Sequence, residues 1–336
     1  MLLFPIVILL ILLMLSLEKN MVGVNNTGER KQQLAVRGIF AVYIIFSHMY
    51  RNSNVFDNSI GSTIISIISP SLLCLFFFYS GYGAMYKYER NGSTSFREAL
   101  ISWVKKLITP AVLAFVVAYV LEYTVSGSVK PLSVSTILNE LGGWFLKTML
   151  VLQAVFWICS KFATKIQYFI IGLLVSTIMV IVAMRIVGLQ SYYYIDCFAF
   201  VFGAISCAYP KAWNKLVTSK SVVVFSGLFT IFMGGIPILL QHGILPSRMG
   251  IGLIVGFINS ITQVILYQSL IAYFKFKSDN IFEKLGKYSY EIYLSGPCAF
   301  VLAINMASND FTYYLIYTVF CIGIGVGLNK IVSSFK

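Results

Sequence analysis

The sequence is short of charge. Asp, Glu, Lys and Arg together make up 11% of its 336 residues, against about 25% in an average soluble domain. It is shorter still of acid, with 12 Asp and Glu against 25 Lys and Arg. Histidine occurs 2 times and cysteine 6 times, and no two cysteines form a CxxC pair. The Cys and His spacings of zinc and haem sites are therefore missing, and no metal is expected. The cysteines (Cys74, Cys159, Cys197, Cys207, Cys298 and Cys321) lie within or at the edge of apolar runs and read as small packing residues. Also missing are the apolar/polar alternation of half-buried strands, any visible internal repeat and any low-complexity tract. A net charge of +13 would point to nucleic acid in a soluble protein. No nucleic-acid fold signature accompanies it, so no nucleic-acid partner is expected.

What the sequence has instead is apolar length. Apolar residues make up 58% of the chain, gathered in runs of roughly 20, the length that crosses about 30 Å of hydrocarbon as a helix. Such runs lie near 1–17, 36–52, 63–86, 107–125, 142–160, 167–186, 193–209, 221–240, 249–274, 288–306 and 311–329. The fold class expected is all-α, a polytopic transmembrane helix bundle of about 10–11 spans, surrounded by membrane lipid. Residues 1–17 read as an extra N-terminal transmembrane helix. A signal-peptide core is the other reading, but no basic residue precedes the run and no small-residue cleavage site follows it.

Charge gives the orientation. All but five of the Lys and Arg residues fall in segments 18–37, 87–106, 161–165, 211–220, 275–287 and 330–336; the five are Arg51, Lys130, Lys147, Arg185 and Arg248. Basic loops stay on the cytoplasmic side, so those segments and the C-terminus are expected to be cytoplasmic in a multi-pass cell-membrane protein. The outer loops, such as 52–62 and 126–141, are too short for a folded outer domain. Any activity must be built from helix ends and the bundle interior.

Polar groups inside a bilayer are costly and tend to mark function. Arg37 and His48 stand out in RGIFAVYIIFSH. Eleven steps of about 100° end roughly 20° past three full turns, so both side chains share one helix face, about 16 Å apart along the axis. Arg recognises phosphate through a planar, permanently charged fork. His can act as a general base near neutrality. Spacing alone equally allows a snorkelling Arg and a buried, hydrogen-bonded His.

Further motifs extend this register. FFFYSGYGAMYKY contains Ser80, Gly81 and Tyr82; WVKKLITP contains Lys105, Lys106 and Pro110. Trp144, Phe145 and Leu146 form a WFL segment, and LGKYSYEIYLSG spans 285–296. With Arg37, Gly38 and His48, these five elements in this order resemble the acyltransferase-3 family of membrane acyltransferases, over about residues 34–330. The resemblance implies that 34–330 is a membrane acyltransferase domain. It also implies transfer of an acetyl group from acetyl-CoA to a hydroxyl of a cell-surface or exported polysaccharide. In that reading Arg37, Lys105 and Lys106 hold the coenzyme A phosphates, and His48 is the base or a transient acyl carrier. Two departures stand out. The family's late His is Gly296 here, and its basic pair, commonly Arg, is Lys105 and Lys106, which cannot make a bidentate fork. Some members carry a fused outer hydrolase-like domain; none is expected here, so the protein would act alone or with a separate acyl-transfer partner.

Other polar residues have plainer readings beside functional ones. Arg51, one turn after His48, could meet an acceptor or simply end a helix in water. Trp144 could stack on a ligand or sit in an interfacial belt. Asp196 is a candidate partner for His48, and Glu291, inside a span, needs a partner of its own. Glu122 and Glu140 flank an outer loop and read as solvated helix ends, although they could contact sugar hydroxyls. Ser80–Gly81 suits close helix packing, and His242 reads as a loop residue. The acceptor expected is a surface or lipid-linked glycan. Two rival functions fit a polytopic chain: a flippase for a lipid-linked sugar, and a polysaccharide polymerase. The first needs no Arg/His register, and the second usually has a large outer loop.

The orientation is testable by single-cysteine labelling of a cysteine-free background in intact cells. A cysteine at Asn91 should resist an impermeant thiol reagent and one at Ser53 should react; the opposite pattern reverses the topology.

Overall fold

The computed structural model describes residues 16–19, 30–52, 60–127, 131–241, 249–277 and 279–334. The expected extra helix over 1–17 and the loop residue His242 lie outside the described residues, apart from the last two residues of that run. In chain order the elements are strand β1 (Leu17–Lys19) and helices α1 (Arg30–Asn52), α2 (Ile60–Asn91) and α3 (Phe96–Trp103). A π-helical turn, Val104–Ile108, leads into α4 (Thr109–Ser126), α5 (Val134–Glu140), α6 (Gly143–Phe162) and α7 (Ile166–Ile186). Then come α8 (Cys197–Ala208), α9 (Pro210–Val217), α10 (Lys220–Gln241), α11 (Met249–Tyr273) and strand β2 (Phe274–Phe276). The chain closes with α12 (Ile281–Gly286), α13 (Ser289–Leu294), α14 (Gly296–Met306) and α15 (Asp310–Ser334).

The all-α expectation holds, with one small addition: β1 and β2 pair antiparallel, Leu17 opposite Phe276. Each apolar run from 36–52 onward coincides with helix, because a backbone in lipid must satisfy its own hydrogen bonds. Among the described residues five helices are long and apolar enough to cross a membrane: Phe96–Val125, Gly143–Phe162, Ile166–Ile186, Ser191–Ala208 and Phe311–Ser334. A sixth arises if Pro210–Val217 and Lys220–Phe232, bent by 70°, count as one span.

Three details differ from the sequence reading. Residues 210–217, expected as loop, form α9, whose Trp213 and Val217 are buried. The outer loop 126–141 contains α5, started by Ser133, whose hydroxyl accepts from the Thr136 N–H at 3.0 Å. The expected single span over 288–306 is broken at Ser295, between α13 and α14. Pro297 opens α14 and cannot donate a backbone hydrogen bond. Ser295 is fully buried, and its hydroxyl donates to the carbonyls of Ile292 at 2.8 Å and Cys321 at 2.6 Å. The hydroxyl thus ties the interruption to α13 and to α15.

The chain forms two compact units: Met1–Gln33, Asn58–Ser95 and Thr148–Asn280 make the first, and Leu34–Asp57, Phe96–Lys147 and Ile281–Lys336 the second. The first is organised by α2 against α8. A Cβ on Gly81 would collide with the Phe200 carbonyl, and one on Gly203 with the Phe78 carbonyl. Two glycines thus let the two backbones touch, the small-residue packing that membrane helices favour and that Ser80–Gly81 suggested. Ser80 itself accepts a hydrogen bond from Gln153 Nε2 at 2.9 Å. Nearby, the Tyr88 and Phe169 rings stack at 4.9 Å, and the Trp157 indole donates to the Thr94 carbonyl at 3.0 Å. Five of the six cysteines are buried, Cys159 being half-buried.

Gly203→Ala should force α2 and α8 apart, because the colliding atom is backbone and cannot turn away. The expected cost is about 1–3 kcal/mol, read as a lower melting temperature in detergent. Gly83→Ala, on α2 with open space beside it, should leave melting close to wild type.

Candidate active site

The second unit is built around three stretches that advance together. At one end, α1 and α12 meet backbone to backbone: a Cβ on Gly38 would strike the Phe282 carbonyl, and one on Gly286 the Leu34 carbonyl. Further along, the His48 ring lies 6.3 Å from the Tyr293 ring. The Tyr290 hydroxyl donates to the Leu107 carbonyl at 3.0 Å, and the Cys298 thiol to the Ala114 carbonyl at 3.5 Å. Pairings of 107 with 290 and 114 with 298 mean that α4 runs in the same direction as α13 and α14. Pairings of 38 with 282 and 48 with 293 say the same of α1. Arg37, Lys105 and Lys106 therefore occupy one end of this bundle, with His48 more than a turn beyond them.

α15 closes the bundle in the opposite direction. Asn329 Nδ2 donates to Glu291 Oε1 at 2.8 Å, Cys321 meets Ser295, and the Thr318 hydroxyl meets Met49 Sδ at 3.7 Å. Its Tyr317 belongs to an apolar core with Ala41, Ile45, Met49, Ile292 and Ala299.

A cavity of about 260 Å³ opens beside His48. α4 lines it with Ala111, Ala114, Phe115, Ala118, Tyr119 and Glu122, a single stripe at helical spacing. Thr136 and Glu140 of α5, Gly142 and Gly143, and Tyr293, Leu294, Pro297 and Val301 complete the wall. Gly142 and Gly143 have φ of 62° and 59°, the left-handed region where glycine is at ease. They turn the chain from α5 into α6 with no side chain in the way; a Cβ on Gly143 would sit 3.6 Å from the Tyr293 hydroxyl.

The sequence candidates do not all converge on this cavity. His48 lines it and is half-buried. Arg37 is half-buried at the far end of α1, and Lys105 and Lys106 are exposed on the π turn. That turn continues the helix begun at Phe96, ahead of the apolar run from 107. Trp144 is half-buried and not among the lining residues, although it adjoins Gly143. The WFL segment acts through Phe145, buried and edge-on to Tyr293 at 5.4 Å, so it holds the tyrosine that faces His48. Glu291 is buried on Asn329 and does not line the cavity. Asp196 belongs to the first unit, buried beside Ser260 with its Oδ1 lacking a hydrogen-bond partner. Arg51 continues α1, but its side chain lies outside the described residues.

Conversely, Glu122 and Glu140, read from sequence as solvated helix ends, share a wall with His48. Tyr293 and Tyr119 were not anticipated at all. The α4 stripe was legible as spacing, but nothing in the sequence said which face of that helix would meet a cavity. Position 296 explains itself in the fold. A Cβ there would lie 3.2 Å from His48 Nδ1 and 3.3 Å from the Tyr317 hydroxyl, so this glycine is the floor beneath the imidazole.

An imidazole facing a cavity, backed by aromatic rings, can accept a proton from a hydroxyl or carry an acyl group. Gly296→Ala should push that ring by a few tenths of an ångström without unfolding the protein, since the atoms it meets are side-chain ends. Turnover should fall, by up to about 10²-fold if the ring moves toward 1 Å, with melting temperature unchanged; wild-type turnover would show that the floor is not needed.

The matching of known families bears on this geometry. A family model described as an acyltransferase domain matches residues 35–330, from the start of the helix that carries Arg37 and His48 to the end of α15. No curated protein and no solved structure matches the chain. The stretch matched includes every element that builds the cavity: this chain belongs to the acyltransferase-3 family and is a membrane acyltransferase.

Proposed function

We propose that the protein moves an acetyl group from cytoplasmic acetyl-CoA to a hydroxyl of a cell-surface or exported polysaccharide. The observation that carries this reading is that one bundle holds three candidate phosphate-binding cations at one end and a cavity at His48 further along. Arg37, Lys105 and Lys106 gather at one end, and the cavity at His48 ends in two carboxylates, Glu122 and Glu140. Coenzyme A carries several phosphate charges, so it is drawn to the basic end and repelled from the acidic one. The positive-inside pattern puts the basic end in the cytoplasm, with the C-terminus on that side and the carboxylates outward.

The mechanism follows from this division. The phosphates dock on Arg37, bidentately, and on the two lysines as point charges. The pantetheine arm then runs along the bundle toward His48, bringing the thioester to the inner end of the cavity. An acceptor hydroxyl enters from the carboxylate end. In direct transfer, His48 takes its proton as the oxygen attacks the thioester carbonyl, and the C–S bond breaks. The proton then passes to the leaving thiolate. In the relayed route the imidazole nitrogen attacks the thioester carbonyl, the C–S bond breaks and coenzyme A leaves as its thiol with the ring proton. The acceptor hydroxyl then attacks the acetyl-imidazole, the C–N bond breaks and the hydroxyl proton returns to the ring. Tyr293, set between His48 and Phe145, keeps the imidazole against the cavity in either case.

The two ends can be tested in one set of proteins. His48→Gln cannot accept a proton at neutral pH, so acetyl transfer should drop at least about 10²-fold while acetyl-CoA still binds. Arg37→Ala should weaken acetyl-CoA binding in calorimetry more than Arg37→Lys does. Retention of more than a tenth of wild-type transfer by His48→Gln, or equal acetyl-CoA binding by wild type and Arg37→Ala, would contradict the assigned roles.

A further inference from the structure

Asp196 takes no part in the cavity at His48, yet it is the one acid of the first unit buried without a completed hydrogen bond. It stands where α8 begins, after the 3₁₀ turn Ser191–Tyr193, with φ −92° and ψ 1°. An Asp at that position ordinarily caps its own helix by accepting a backbone N–H; here the side chain makes no such bond. The carboxyl lies instead beside Ser260 of α11. Gly256, one turn earlier on α11, admits the approach: a Cβ there would meet the Ile195 side chain at 2.9 Å. Cys74 of α2, fully buried, closes on the same acid and hydroxyl.

Three oxygens in this part of the unit lack a hydrogen-bond partner: Asp196 Oδ1, Ser260 Oγ and Gln263 Oε1. Their residues are 3%, 1% and 2% exposed, so bulk water does not supply the missing partners. Gln263 lies one turn beyond Ser260, where side chains on a helix are neighbours. Its amide nitrogen donates to Asn259 Oδ1 at 3.2 Å, which leaves its oxygen as the available end. No Lys, Arg or His among the described residues acts on Asp196. The Ser260 hydroxyl can donate to only one of the two acceptors, so the group holds more lone pairs than donors.

We infer that Asp196, Ser260 and Gln263 bind a monovalent metal cation, of the sodium or potassium kind, which bridges the start of α8 to α11. A donor set made of oxygens suits a hard cation. One carboxylate balances one positive charge, and an unbalanced charge in a buried site is costly. Divalent ions draw on several carboxylates, imidazoles or thiolates. Among the described residues no group of His, Cys, Asp and Glu has the number and placement to hold one.

The test uses the full-length protein in lipid nanodiscs, with radiolabelled sodium ion as the probe and choline chloride keeping the ionic strength fixed. Wild type should bind sodium saturably, near one ion per chain. It should also melt at a higher temperature in sodium chloride than in choline chloride, as a ligand of the folded state requires. Asp196→Asn keeps the shape and removes the charge, so it should bind at least about 10-fold more weakly and melt alike in both salts. Ser260→Ala and Gln263→Leu, which keep the acid, should each weaken binding. Ser226→Ala should bind as wild type, because that hydroxyl is satisfied by the Val223 carbonyl of its own helix. Displacement of the label by excess potassium chloride supports the same site with potassium as its occupant. Absence of saturable binding by wild type, or wild-type affinity in Asp196→Asn, overturns the inference. Wild-type affinity in both Ser260→Ala and Gln263→Leu overturns it even where Asp196→Asn does not fold. So does a melting temperature that follows pH but not sodium, which would make Asp196 a proton site instead.

Discussion

The candidate site depends on a contact with no side chains in it. Gly38 of α1 and Gly286 of α12 press backbone against backbone, each leaving no room for a Cβ beside the other strand of the contact. Lipid gives helices no hydrophobic reason to associate, so close van der Waals approach must supply one. That approach sets α1 alongside α12 to α14 at one end, and the rest of the pairing follows as the helices advance. His48 reaches Tyr293 and Gly296, and Tyr290 and Cys298 fasten α4 on the other side. The first unit repeats the device independently with Gly81 and Gly203.

A second constraint gives the cavity its floor. A continuous helix over 288–306 would have run past His48 without interruption. The Ser295 break and Pro297 interrupt it beside the imidazole, and the buried Ser295 hydroxyl ties the interruption to the Ile292 and Cys321 carbonyls. Irregular backbone at membrane depth survives only where protein or a cavity receives it, and here both do. Gly296 adds the missing volume: with any side chain at that position, His48 and Tyr317 would have to give way.

Charge is the thread that connects these pieces to chemistry. The chain spends few charged residues in its helices, and in the second unit some of them mark the two ends of the bundle. Arg37, Lys105 and Lys106 sit before Gly38 and Leu107, and Glu122 lies beyond Tyr119.

Much of this was legible before any coordinates. Run length and low charge determined an all-helical membrane protein, because only a helix hides its own backbone in lipid. The eleven-residue interval put Arg37 and His48 on one face, because helical geometry is fixed. The motif order named the family. Other features depended on which helices touch. Glu122 and Glu140 look alike as helix-end acids whether or not a cavity lies between them. Glu291 reads as an acid inside a span that needs a partner, and only the fold names that partner as Asn329, far along the chain. Asp196 is assigned to the first unit by packing alone. The sequence by itself determined the class, the helices and the register of each motif, since these follow from local periodicity and composition. Only the tertiary structure decided which faces meet, which acids line the cavity and why position 296 is a glycine, since each depends on a contact between residues distant in sequence.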